Sequence, residues 1–195
     1  MRETSRFIGI EAYGGFACRP AAASDRVLDG RARGDSDMLT RIVERPAFHV
    51  VGVKEFFTPA TMSEIPAVWG RFVPRLGEVR HQRGDVTYGI CQDGANGQGT
   101  FAYTAAIEVS SLADVPDGMV GFTVPAAVWA VVTHQGHISK ITETFDAIFE
   151  HGLADAKVER AGALDLEVYD EQWDPATGMG DVEIHIPIKG RPRSN

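Results

Sequence analysis

Apolar residues recur along this chain with two periods, and the places where one period gives way to the other mark its elements. Ile42 to Phe57 is rich in Val and Phe and reads as a strand, with Pro46 and Gly52 as interruptions. Thr61-Met62-Ser63-Glu64 is spelled as a capping box, and Pro66 lies early in the helix that follows, where its missing N–H is tolerated. Ile65, Val68, Trp69, Phe72 and Leu76 share one helical face, and Pro74 and Gly77 close the element. Val86–Cys91 and Phe101–Val109 then read as strands, and the Gly/Asn-rich run 94–99 between them predicts a hairpin.

The second half repeats this order. Met119–Thr133 is extended and apolar, broken at Pro125. Beyond Gly136-His137, the residues Ile138, Ile141, Phe145, Ile148 and Phe149 line a helical face, with Gly152 placed as a left-handed cap. The strands Leu164–Trp173 and Asp181–Ile188 follow, joined by a turn over 174–180. Strand–helix–strand–strand thus occurs twice. The repeat predicts an α+β fold in which a curved antiparallel sheet carries two helices on one face. A ligand cleft between the halves is expected on the side away from the helices.

The last two strands carry the candidate chemistry. In Leu166-Glu167-Val168-Tyr169-Asp170 the alternation puts Leu166 and Val168 on one face and Glu167, Tyr169 and Glu171 on the other. In 181–188 it puts Val182, Ile184, Ile186 and Ile188 on one face, Glu183 and His185 on the other. Pairing the two strands would collect two carboxylates, a phenol and an imidazole on one side of the sheet. Such a surface suits a positive, flat partner. In the first unit, Tyr88 stands roughly where Glu167 or Tyr169 stands in the second.

With 195 residues, 44% of them hydrophobic, the chain has room for one ordinary core. The core-forming pattern spans residues 39–189. Residues 1–38 sustain neither period and are expected to be a poorly ordered extension, with Met38 as an alternative start, and 190–195 form a basic tail. Net charge is −8, and all the acidic excess lies beyond residue 38. That balance argues against nucleic-acid and anionic-membrane partners. It is compatible with a cationic molecule, a second copy of the chain or another protein. Cys18 and Cys91 are far apart, and no apolar run reaches the length of a spanning helix, so a cytoplasmic setting is expected. The histidines are scattered and no phosphate-binding or nucleophile-elbow motif occurs, so no metal or cofactor is expected.

Residues 39–189 resemble the effector-binding domain of AraC- and MerR-type multidrug-responsive regulators, shared with gyrase-inhibitor-like proteins. They look most like its stand-alone, integron-associated branch. The resemblance rests on the repeated unit and on four local spellings. These are Tyr88-Gly89-Ile90 leading to Phe101-Ala102-Tyr103, then Val115-Pro116-Asp117-Gly118-Met119, then Val124-Pro125-Ala126 leading to Trp129 and His134-Gln135-Gly136. The fourth is Leu166-Glu167-Val168-Tyr169-Asp170 with the closing run 182–188. The resemblance implies a cleft for lipophilic, often cationic, molecules between aromatic walls, with a glutamate at its floor. Glu167 falls on that glutamate and Glu183 on a second acid, and Tyr88, Tyr103, Trp129 and Tyr169 are candidate walls. Trp69, on the helical stripe, reads as core, and Trp173 as a hairpin-end residue near the cleft mouth. No DNA-binding domain is recognisable in the sequence, so the implied role is a free-standing binder. Two alternatives stay open. One is a hydrolase of strained electrophiles with Glu167 as general base and Tyr88 or Tyr103 as proton donor, and the other is an acidic protein-interaction module.

Overall fold

The computed structural model of the protein describes residues 26–30, 38–93 and 99–190. The run from Ile42 to Phe57 forms two strands, β2 (Leu39–Arg45) and β3 (Phe48–Phe57), separated at Pro46. Gly52 causes no break. It lies inside β3 because a Cβ there would stand 2.0 Å from the Ala105 carbonyl oxygen of the paired strand. Helix α1 (Ile65–Phe72) follows, preceded by a 3-10 turn at Met62–Glu64 and followed by another at Val73–Glu78. The expected capping box does not form. Thr61 makes no cap hydrogen bond, and its hydroxyl accepts instead from the Thr58 amide. Strands β4 (Gln82–Asp93) and β5 (Phe101–Val109) pair as foreseen, while most of the turn joining them, 94–98, lies outside the described residues.

In the second half β6 (Val120–Val124) and β7 (Ala127–His137) flank Pro125, and α2 (Ile141–Ala147) continues through a π turn at Ile148–Gly152. Gly152 is not the left-handed cap. Its φ is −56°, the helix runs on to Asp155, and Lys157, at φ 54°, takes the left-handed position. Strands β8 (Leu164–Tyr169), β9 (Trp173–Asp174) and β10 (Met179–Ile188) complete the unit. One further strand was not foreseen. Within 1–38, β1 (Arg26–Gly30) pairs antiparallel with β2; the rest of that segment, save Met38, and residues 191–195 lie outside the described residues.

The strand order β1-β2-β7-β10-β8-β4-β5-β3-β6 makes one antiparallel sheet, with β9 added beside β10. Both helices pack on the same face. Val68 and Phe72 of α1 are fully buried against Val51, Val53, Tyr103, Ala105 and Ile107. Beside α2, Ile148 is buried against Ile42, Ala130, Val132, Ile184 and Ile186. The opposite face curls on itself, because Val43 and Trp129 from one end of the strand order share a cluster with Phe48, Val50 and Val124 from the other. The molecule is thus an α+β fold with a curved, unclosed sheet. Among the described residues no helix is long and apolar enough to cross a membrane.

Candidate functional site

Register decides which side chains meet. Glu167 of β8 stands opposite Gly89 of β4, and Gly89 stands opposite Ala105 of β5, so all three point to the helix-bearing face. Tyr103 and Tyr169 lie on that face too, two residues along their strands from Ala105 and Glu167. Both phenols converge on one carboxylate oxygen: Tyr103 Oη donates to Glu167 Oε2 at 2.6 Å and Tyr169 Oη at 2.8 Å. Gly89 makes the convergence possible. A Cβ at this position would lie 2.2 Å from both Glu167 Oε2 and Tyr103 Oη.

Helix α1 roofs the group. Trp69 Nε1 donates to Tyr103 Oη at 2.9 Å, and its ring meets that of Tyr169 edge-on at 5.0 Å. Trp173 meets Tyr169 edge-on as well, at 4.8 Å. Glu167 is only 6% exposed. Its hydrogen bonds come from neutral phenols, and no basic side chain of the described residues pairs with it. Burial therefore pushes the carboxyl above its usual range, and the two phenol hydrogen bonds offset only part of that rise. Burial and the neighbouring carboxylate push both phenols well above theirs.

The other residues singled out in the sequence lie elsewhere. Glu183 pairs with Val168 and Ile184 with Glu167, so the two acids face opposite sides of the sheet and the expected shared surface does not exist. Glu167 accordingly lies on the helix-bearing face, whereas the sequence placed the expected cleft on the side away from the helices. Tyr88 is separated from Tyr103 in the same way: it pairs with Ala106 while Tyr103 pairs with Cys91, an odd offset. On the curled face Tyr88 Oη accepts from Arg45 at 2.7 Å, and Arg45 also pairs with Glu108 at 2.9 Å. Trp129, 1% exposed, packs there near the His185 ring. Glu183 holds Arg41 through both carboxylate oxygens, each at 2.7 Å, and accepts from His185 Nε2 at 3.0 Å. Burial alone would raise Glu183, yet His185 and Arg41 outweigh it and hold the acid at about 2.

The sequence thus pointed to Glu167, Tyr103 and Tyr169, which the structure brings together, and to Tyr88, Trp129 and Glu183, which it does not place with them. Trp69 and Gly89 were missed as members of the group. A signal for Trp69 existed: a buried indole N–H needs an acceptor, and the apolar stripe around it offers none. A shallow groove of about 370 Å³ lies at residues 125–129, 161–164 and 187–188, and Glu167 is not among its lining residues.

Residues 41–188 match the family described as integron-associated effector binding protein, and the chain belongs to that family. It is 43% identical over 154 residues to the transcriptional regulator BrlR of Pseudomonas aeruginosa, across 78% of this chain and 56% of the regulator. The chain therefore spans about half the length of that relative. Among solved structures, SAV2435 bound to tetraphenylphosphonium superposes with a TM-score of 0.62 at 18% identity, over 76% of this chain and 93% of the other. The integron cassette protein VCH_CASS2 of Vibrio cholerae does so with a TM-score of 0.56 at 18% identity, over 76% and 94%. At these identities the two structures share the fold.

Proposed function

We propose that this effector-binding domain takes lipophilic cations into the aromatic group around Glu167, with the Glu167 carboxylate as charge partner. One observation carries the reading: the carboxylate is buried, held by two phenols, and has no counter-ion among the described residues. Ionising such a group costs several kcal/mol when nothing positive is near. A bound cation removes that cost, and the faces of Tyr and Trp rings each add about 0.5–2 kcal/mol of cation–π attraction. Specific aromatic neighbours are at hand in Tyr103, Tyr169, Trp69 and Trp173. The Arg41 partnership of Glu183 supports the same choice, because that acid is already neutralised within the fold.

Tetraphenylphosphonium, bound by the structural neighbour SAV2435, is the natural first probe. Calorimetric titration should show saturable binding that weakens on the order of a hundredfold in Glu167→Gln, the size expected when a buried charge pair loses one member. Glu183→Gln should leave the affinity within about twofold. Equal losses in both variants, or none in either, would overturn the assignment. Turnover of a neutral strained electrophile by the native protein, abolished in Glu167→Gln while cation binding is absent, would install the hydrolytic alternative instead.

A further inference from the structure

Each polar hydrogen donor in the aromatic group is engaged except one. Tyr103 and Tyr169 donate to Glu167, and Trp69 donates to Tyr103. Trp173 Nε1 is buried and has no hydrogen-bond partner. Unpaired buried donors are rare and call for a reason, since the lost hydration is not replaced.

The indole is not placed there by slack. Its backbone is built into a tightly hydrogen-bonded loop: Gln172 N donates to Asp170 Oδ1 at 2.9 Å, and Trp173 N donates to the Asp170 carbonyl at 3.3 Å. Beyond it, Asp174 accepts from the Ala176 amide and the Thr177 hydroxyl, at 2.9 and 2.7 Å. Pairing of Trp173 with Gly180 closes the loop, and a Cβ on Gly180 would lie 2.2 Å from the Gln172 carbonyl oxygen. The loop sets the ring edge-on to Tyr169, one aromatic ring away from Glu167, with its N–H unspent.

We propose that Trp173 is a specificity-determining residue of this site, and that its Nε1–H donates to an acceptor carried by the ligand. The ligand class is then lipophilic cations that bear a carbonyl or ring-nitrogen acceptor on an aromatic group. This rests on Glu167 being the charge partner, and adds a second, uncharged point of recognition to it.

The test compares tetraphenylphosphonium, which has no acceptor, with its 4-acetylphenyl analogue, using calorimetry on the full chain. The wild type should bind the acetyl compound about tenfold more tightly, the scale of one added hydrogen bond. Trp173→Phe keeps a ring beside Tyr169 but lacks the N–H, and should bring the two compounds to parity whatever its effect on tetraphenylphosphonium affinity itself. Parity already in the wild type, which needs no variant, overturns the proposal. So does an acetyl advantage that survives in Trp173→Phe, which has no donor. If tetraphenylphosphonium binding depends on Glu167 but the acetyl advantage is missing, only the role of Trp173 falls. If neither compound binds, or Glu167→Gln changes nothing, the charge-partner reading fails and takes this inference with it.

Discussion

Glu167 and Glu183 sit on adjacent strands, one register step apart, and meet opposite fates. Glu183 faces the curled side of the sheet, where Arg41 and His185 bring it to about 2. Glu167 faces the helices, where its hydrogen-bond partners are phenols and burial pushes its carboxyl up. The first acid is satisfied inside the fold and serves as a tie between β2 and β10. The second is hydrogen-bonded by phenols and has no basic partner among the described residues, the feature on which the proposed cation site rests. A buried carboxylate is thus informative less by its burial than by what neutralises it.

The contrast can be broken at three further points. The largest effect is expected from Gly89→Ala, because the added methyl falls on both Glu167 Oε2 and Tyr103 Oη. Overpacking of this kind costs about 1–3 kcal/mol, and thermal unfolding should show it together with weakened cation binding. A Gly89→Ala protein of unchanged stability would mean the phenol–carboxylate group is looser than described. Next comes Glu183→Gln, which should lower stability at pH 7 by about 1–2 kcal/mol through loss of its charge-assisted hydrogen bonds. The native acid titrates at about 2, below its ordinary 4.5, so its contribution is complete above 4.5 and fades as pH falls toward 2. Urea unfolding of wild type and variant should therefore converge at the acid end.

The smallest effect has the opposite sign. A carboxyl whose folded-state pKa is raised costs stability once both states are ionised, and that cost lessens as pH falls through the raised value. Glu167→Gln keeps an acceptor for both phenols and should raise unfolding stability at pH 8 by about 1 kcal/mol, with the gain shrinking toward acid. Cation affinity of the wild type should weaken over the same fall in pH. A Glu167→Gln protein less stable than wild type at pH 8 would place a hidden counter-charge beside the acid.

Much of the architecture was legible in the sequence. The period changes located both helices and all the long strands, since a two-residue repeat and a 3.6-residue repeat bury different subsets of side chains. Within β8, alternation alone separated Leu166 and Val168 from Glu167 and Tyr169, and it did the same for Ile184 and His185 in β10. Strand β1 escaped notice because residues 1–38 sustain neither period, so only its pairing with β2 reveals it, and the expected cap at Gly152 went instead to Lys157.

Alternation within one strand is local chemistry, and the chain carried it in full. How neighbouring strands slide against each other is not local. A slip of one residue moves every side chain to the other face, and only the summed packing of the whole sheet selects the register. That selection parted Glu183 from Glu167 and Tyr88 from Tyr103. It also brought Gly89, whose missing side chain carries no chemical signal of its own, under the one carboxylate that needed the space.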